Sequence, residues 1–220
     1  MAIMGVKMET EYKYRLDDPA IIDRIIADPM LDDHVDRDAL EEIDMHAVYF
    51  DTVDQDLRKA GIAYRIRYEN DRITATIKWD NKVEEGLHSR EEFNLVINDE
   101  RFADNPDIDA FESSDAYEVL LKAAGHKKLL KLVDMVFTRK LLKIDTDKSI
   151  SALSFDQGII HGIDGDNDIM EMEVEWYYGD RDDFRNIATS LAEKYSLEPE
   201  NASKLQRGFA TDEFVPNDSY

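Results

Sequence analysis

METEYKYRL, running from Met8 to Leu16, alternates in a way that frames the whole chain. In an extended strand successive side chains point to opposite faces, so Glu9, Glu11, Lys13 and Arg15 share one side while Met8, Tyr12 and Tyr14 share the other. The second side is ordinary packing material. The first is a row of two carboxylates and two cations, and such a row needs something to act on.

The same two-faced pattern recurs down the chain. MHAVYFDT reads as a strand with a turn behind it, and LRKAGIAYRIRYEN carries a turn glycine, Gly61, before a strand with Ile62, Tyr64, Ile66 and Tyr68 on one face. Its other face holds Ala63, Arg65 and Arg67. RITATIKWD alternates again, and SREEFNLVIND sets Phe93, Leu95 and Ile97 against Arg90, Glu92 and Asn94. Further strands are expected in KLVDMVFTRKLLKID, SISALSFDQGII and IMEMEVEWYYG. Three amphipathic helices punctuate them. DDPAIIDRIIADP is capped by Asp18 and ended by Pro29; SDAYEVLLKAAG is capped by Ser114 or Asp115 and closed by Gly125; DDFRNIATSLAEKYSL shows an apolar stripe of Phe184, Ile187, Ala188, Leu191 and Tyr195. The acidic connection NDERFADNPDID is expected to be a surface loop, and the tail FATDEFVPNDSY to fray from about residue 210.

A solvated strand face also alternates, but it does not need these residue types. The chain carries 27 basic against 50 acidic residues, a net charge of −23. Cations are therefore the minority, yet Lys13, Arg15, Arg65, Arg67, Lys78, Arg90 and Arg139 fall at alternate strand positions. If the strands close into a barrel, these faces line a charged interior. In IMEMEVEW, Glu171, Glu173 and Glu175 stand roughly 7 Å apart in one row and repel one another unless cations compensate them. With Glu9 and Glu11 they suit a hard divalent ion such as Mg2+ or Mn2+, and Arg65, Arg67, Lys78, Arg90 and Arg139 suit the oxygens of a polyphosphate. Carboxylates for metal beside cations for phosphate are the equipment of phosphoryl transfer.

Composition narrows the remaining classes. At 220 residues, 43% apolar and 10% aromatic, the chain is expected to fold as one globular domain over 1–220. The negative charge argues against nucleic acid and anionic membranes as partners. There is no cysteine, no signal-peptide apolar region and no run of about 18 apolar residues, so a cytoplasmic protein is expected. DGDNDIMEMEVE places Asp164, Asp166, Asp168 and Glu175 at calcium-loop spacing, but Ile169 stands where that loop needs glycine, so an acidic turn before a strand is expected. His34, His46, His88, His126 and His161 show no metal-ligand spacing, and no phosphate-cradling glycine loop is present. Tyr49 and Trp79 read as barrel packing.

ETEYK resembles the ExExK signature of the CYTH superfamily, the triphosphate tunnel metalloenzymes. The resemblance continues in order through YFDTVDQDLRKAGIAYRIR, TATIKW, REEF, FTRK, FDQGII, EMEVEW and SKLQRGF. It implies an α+β, mainly β fold: an eight-stranded antiparallel tunnel barrel with helices packed outside. It further implies metal-binding acids at Glu9, Glu11, Glu173 and Glu175, with Glu171 in the same row, and phosphate grips at Lys13, Arg65, Arg67, Lys78 and Arg139. Asp156 and Lys204 fall at further tunnel positions, with Arg90, Glu92 and Arg207 as their expected neighbours; Glu171, Asp156 and Glu92 are thereby counted with the metal acids, and Arg90, Lys204 and Arg207 with the substrate grips. Lys140 points away from this face. The activity implied is metal-dependent hydrolysis of a triphosphate, most readily inorganic tripolyphosphate, with Glu9, Glu11, Lys13, Glu173 and Glu175 at the chemistry and Mg2+ or Mn2+ as cofactor. The alternatives are a CYTH-type adenylyl cyclase, a thiamine triphosphatase and a non-catalytic polyphosphate or nucleotide sensor. A small-molecule triphosphate is the expected partner, with a homodimer as a candidate assembly.

Overall fold

The computed structural model describes residues 5–209, so the expected fraying of the tail lies outside the described residues. The strands are β1 (Lys7–Arg15), β2 (Glu41–Asp51), β3 (Ala63–Glu69), β4 (Arg72–Glu84), β5 (Leu87–Ile97), β6 (Leu130–Asp145), β7 (Ser149–Gly162), β8 (Gly165–Gly179) and the two-residue β9 (Glu198–Pro199). The helices are α1 (Ala20–Ile26), α2 (Asp56–Lys59), α3 (Glu100–Asp104), α4 (Asp115–Ala124), α5 (Arg181–Tyr195) and α6 (Lys204–Arg207). Every pairing is antiparallel, in the order β5-β4-β3-β2-β6-β7-β8-β1, and β1 pairs with β5 to close an eight-stranded barrel; β9 adds to β1. Closure leaves the eight strands without a free edge. These pairings gather the N-terminal ends of β1, β2, β4 and β7 with the C-terminal ends of β3, β5, β6 and β8 on one rim.

Two apolar cores cover the outside of the barrel. One joins Val48, Phe50, Tyr64, Ile66, Ile77 and Trp79 to Leu57 of α2 and to Ala116 and Leu120 of α4. The other joins Tyr12, Tyr14, Leu153, Phe155, Met172 and Val174 to Ile22 and Ile25 of α1 and to Phe184, Ala188 and Leu191 of α5. The amphipathic stripes predicted for these helices thus find their partners, and burial of each large apolar side chain contributes roughly 1.5–3 kcal/mol. Within α5, the Asp180 carboxylate accepts from the Asp182 and Asp183 amides and satisfies the first turn.

Three local expectations are corrected. The connection read as a surface loop contains α3 and a 3-10 turn at Asp109–Phe111, and Ala103, Ile108 and Phe111 are buried against the barrel. Asp99 caps α3 by accepting from the Arg101 amide, a signal hidden by the acidic context. The acidic turn before β8 is already strand from Gly165, paired with Gly162, and Glu175 lies far along it inside the barrel. Arg15, grouped with the interior row, is exposed at the end of β1, and its one ion pair among the described residues is with Glu200, at 3.6 Å.

Candidate active site

Alternation sends every second side chain inward, and register decides which of them meet. Glu9 lies opposite Arg90 of β5, Lys13 opposite Glu173 of β8, and Asp156 of β7 stands between Arg139 of β6 and Glu171 of β8. Gly158 makes the β6–β7 contact possible: a Cβ there would come within 2.2 Å of the Val136 carbonyl oxygen, so FDQG is a mid-strand close approach and not a turn. The result is a cavity whose charged lining is Glu9, Glu11, Lys13, Arg65, Arg67, Lys78, Arg90, Arg139, Glu173, Glu175 and Lys204. All eleven are among the residues expected from the sequence. Glu92, Asp156 and Glu171 stand behind the lining and contact its cations, and Arg207 in turn pairs with Glu171.

Most of the lining is held in ion pairs. In a first cluster Lys78 contacts both Glu9 oxygens at 2.7 Å and Glu92 at 2.7 Å, while Arg90 reaches Glu9 at 2.5 Å and Glu11 at 2.7 Å. In a second, Arg139 grips both Asp156 oxygens at 2.6 Å and Glu173 at 2.6 Å; Lys204 reaches Asp156 at 2.7 Å, Glu173 at 2.9 Å and Glu171; and Arg207 pairs with Glu171. Lys13 joins the clusters by touching Glu11 at 3.1 Å and Glu173. α6 delivers Lys204 to this place from the end opposite the shared rim, docked by the Asn167 side chain donating to the Arg207 carbonyl and by Leu205 against the apolar Met135–Phe137–Ile160 patch.

Charge states follow from these contacts. Burial raises the Glu9 carboxyl, but Arg90 and Lys78 outweigh it and hold the acid well below the usual range. Glu173 is treated alike: burial is outweighed by Lys13, Lys204 and Arg139. Asp156 is also lowered against burial by Arg139 and Lys204, and Glu92 falls to about 2, mainly because Lys78 overcomes its burial. Two acids go the other way. Burial dominates at Glu171, which is raised. Glu175 is pushed up to about 7 by burial and by Glu9 and Glu11, which outweigh the opposing charges of Lys7, 3.5 Å away, and Lys78.

Two cations also stand apart. The only hydrogen-bond partner of Arg65 among the described residues is the Thr76 hydroxyl at 3.4 Å, and its Nε is buried without a partner. Arg67 pairs with Glu69 at 2.8 Å, also keeps a buried free Nε, and is lowered to about 10 by burial and by Arg65 beside it. Tyr49 is packed among Met45, Ala47, Met135 and Phe137 as expected and also lines the cavity, and Trp79 is packed in the outer core as expected. Burial would raise the Tyr49 phenol, but Arg65, Lys78, Arg90 and Lys204 reverse this and lower it. Lys140 points outward to Asp23.

The donor set bears on a metal. No histidine lines the cavity among the described residues, so an ion here would meet carboxylate oxygen, the preference of Mg2+ or Mn2+. Asp156, Glu171 and Glu173 bring carboxylate oxygens within 4.8 Å of one another, but the Lys204 ammonium touches all three and serves as their counter-ion. Glu9, Glu11, Glu173 and Glu175, which face the cavity, fit the role better.

A closed barrel with both charge signs inside narrows the family, and the family model decides it: the CYTH domain matches residues 7–209. The chain belongs to the CYTH domain family. It is similar to the inorganic triphosphatase of Haemophilus influenzae, at 29% identity over 161 residues, which is 73% of this chain and 44% of that protein. The chain therefore spans under half the length of that relative. Among solved structures it is similar to HpAC1 of Hippeastrum, an adenylyl cyclase candidate reported to have a dominant triphosphatase activity, with 20% identity, a TM-score of 0.69, and coverage of 93% of this chain and 98% of that one. A Bacillus halodurans protein described as an adenylate cyclase candidate matches at 19% identity and a TM-score of 0.60, with the same coverage. At such identities the structural matches establish the fold.

Proposed function

We propose that this CYTH protein is a metal-dependent triphosphatase that holds a triphosphate inside the barrel and hydrolyses a terminal phosphoanhydride bond, with inorganic tripolyphosphate as its preferred substrate. The observation that carries this reading is one cavity lined by seven cations and four carboxylates, in which Arg65 and Arg67 keep buried N–H groups unpaired. An anion sensor needs the cations but gains nothing from the acids. Arg65 and Arg67 would take phosphate oxygens first, because their donors are free; Lys13, Lys78, Arg90, Arg139 and Lys204 would exchange carboxylate contacts for phosphate ones. Glu9, Glu11, Glu173 and Glu175 would hold the metal, which when bound supplies charge neutralisation on the phosphate oxygens.

Among the described residues no helix is long and apolar enough to cross a membrane. The test is phosphate release from tripolyphosphate, ATP and thiamine triphosphate with Mg2+, Mn2+ or chelator, assaying cyclic AMP in the ATP reactions. Metal-dependent phosphate from tripolyphosphate is expected. Cyclic AMP with pyrophosphate would reassign the site to a cyclase, and tight binding without turnover would make it a sensor.

A further inference from the structure

Strands β3, β4 and β5 place two inward rows side by side. In one, Ala63 faces Lys78, which faces Glu92; in the next, Arg65 faces Thr76, which faces Asn94. The first row ends in an ion pair, since Lys78 meets Glu92 at 2.7 Å. The second contains no acid at all. Instead, Arg65 Nη2 donates to the Thr76 hydroxyl oxygen at 3.4 Å, Thr76 donates to Asn94 Oδ1 at 2.7 Å, and Asn94 Nδ2 donates to Glu92 Oε1.

The direction of this chain is set by its ends. A guanidinium can only donate and a carboxylate can only accept, so the Asn94 amide must turn its NH2 to Glu92 and its oxygen to Thr76. The Thr76 proton is then committed to Asn94, and its lone pairs are left to face Arg65. Each bond polarises the next in the same sense. Arg65 is thereby oriented by an oxygen that carries no formal charge, while the nearest carboxylate of these strands, Glu92, is occupied by Lys78, Lys7 and Asn94.

We propose that Thr76 and Asn94 are positioning residues, a neutral spacer that aims Arg65 into the cavity while keeping its charge unspent for an anionic ligand. The inference rests on the triphosphate reading of the cavity and adds what selects Arg65 as its first contact. An acid at position 94 would do to Arg65 what Glu92 does to Lys78.

The test is calorimetric titration of the full chain with inorganic tripolyphosphate in the presence of chelator, so that binding is read without turnover. Asn94→Asp is expected to weaken binding by about tenfold or more, the effect of a unit charge a few ångströms from the guanidinium at intermediate dielectric. Thr76→Val is expected to weaken it by roughly threefold to tenfold, with Thr76→Ser restoring it, because only the hydroxyl oxygen is at issue. Thermal melting checks that each variant folds. A double-mutant cycle separates aiming from mere structure: on an Arg65→Met background, Thr76→Val should have no further effect on affinity. Unchanged affinity in both Asn94→Asp and Thr76→Val, or an equal loss from Thr76→Val with and without Arg65, would overturn the spacer and leave the triphosphate reading standing. A wild-type chain that binds no tripolyphosphate would overturn both.

Discussion

Two stretches of the same wall treat their cations in opposite ways. Along β1, β6, β7 and β8, with α6, every cavity cation is locked to carboxylates: Lys13 to Glu11 and Glu173, Arg139 to Asp156 and Glu173, Lys204 to Asp156, Glu171 and Glu173. Along β3 and β4, Arg65 and Arg67 face Thr76 and Thr74, and Arg65 has no carboxylate partner among the described residues. A buried charge without a counter-ion is costly, and a protein retains it where a ligand completes the balance. On the proposed function, the locked stretch would hold the barrel together when empty and the open stretch would supply the free energy of anion binding. Arg67 is lowered to about 10 by burial and Arg65, whereas Arg65 itself is raised, its burial outweighed by the through-space charges of Tyr49, Glu92 and Glu9.

The strongest challenge to this division is Glu173→Gln. Glu173 both faces the cavity and neutralises Lys13, Arg139 and Lys204, so metal-dependent phosphate release is expected to fall by about a thousandfold; activity within tenfold of wild type would remove Glu173 from the proposed metal set. Next, Arg139→Met and Arg65→Met should separate stability from binding. The first leaves the fully buried Asp156 short of its bidentate partner and should destabilise the fold by about 3–5 kcal/mol in urea unfolding. The second should leave unfolding within about 1 kcal/mol of wild type and lower kcat/KM about a hundredfold, chiefly through KM. Equal unfolding costs for the two would erase the distinction.

A smaller effect concerns pH. The folded pKa of Glu175, about 7, lies above its unfolded value, so the folded protein binds this proton more tightly. Its contribution is present below the ordinary carboxylate range and is lost as pH rises through 7, on the order of 3 kcal/mol in all. Without metal, unfolding free energy should therefore fall between pH 5 and 8, and Glu175→Gln should flatten that decline. Glu9, Glu173, Asp156 and Glu92, all lowered, contribute in the opposite sense, lost only as pH falls below the ordinary carboxylate range. The smallest effect belongs to Arg15→Ala: an exposed pair at 3.6 Å should cost under about 0.5 kcal/mol, which confirms that the interior row ends at Lys13.

Much of this was legible in the chain. Period-two alternation in METEYKYRL, RITATIKWD and IMEMEVEW foretold which side chains share a face, and each of the eleven charged lining residues was nameable from those faces and the CYTH resemblance. Tyr49 was read in part: it packs among Met45, Ala47, Met135 and Phe137 as expected, but its place on the cavity wall went unseen because periodicity cannot tell an inward apolar position from an outward one. Thr76 and Asn94 passed unnoticed because neutral polar residues on a strand carry no signal until a partner is known. α3 was missed because its cap, Asp99, sits among other acids.

The sequence by itself determined the strands, their two faces, the charge types on each and the family. Only the tertiary structure decided pairing. Which cation meets which acid depends on register between strands up to 160 residues apart, as Lys13 and Glu173 show. A shift of one residue would turn each inner face outward, so whether a charge is locked, free or merely held by a neutral neighbour is a property of the closed barrel.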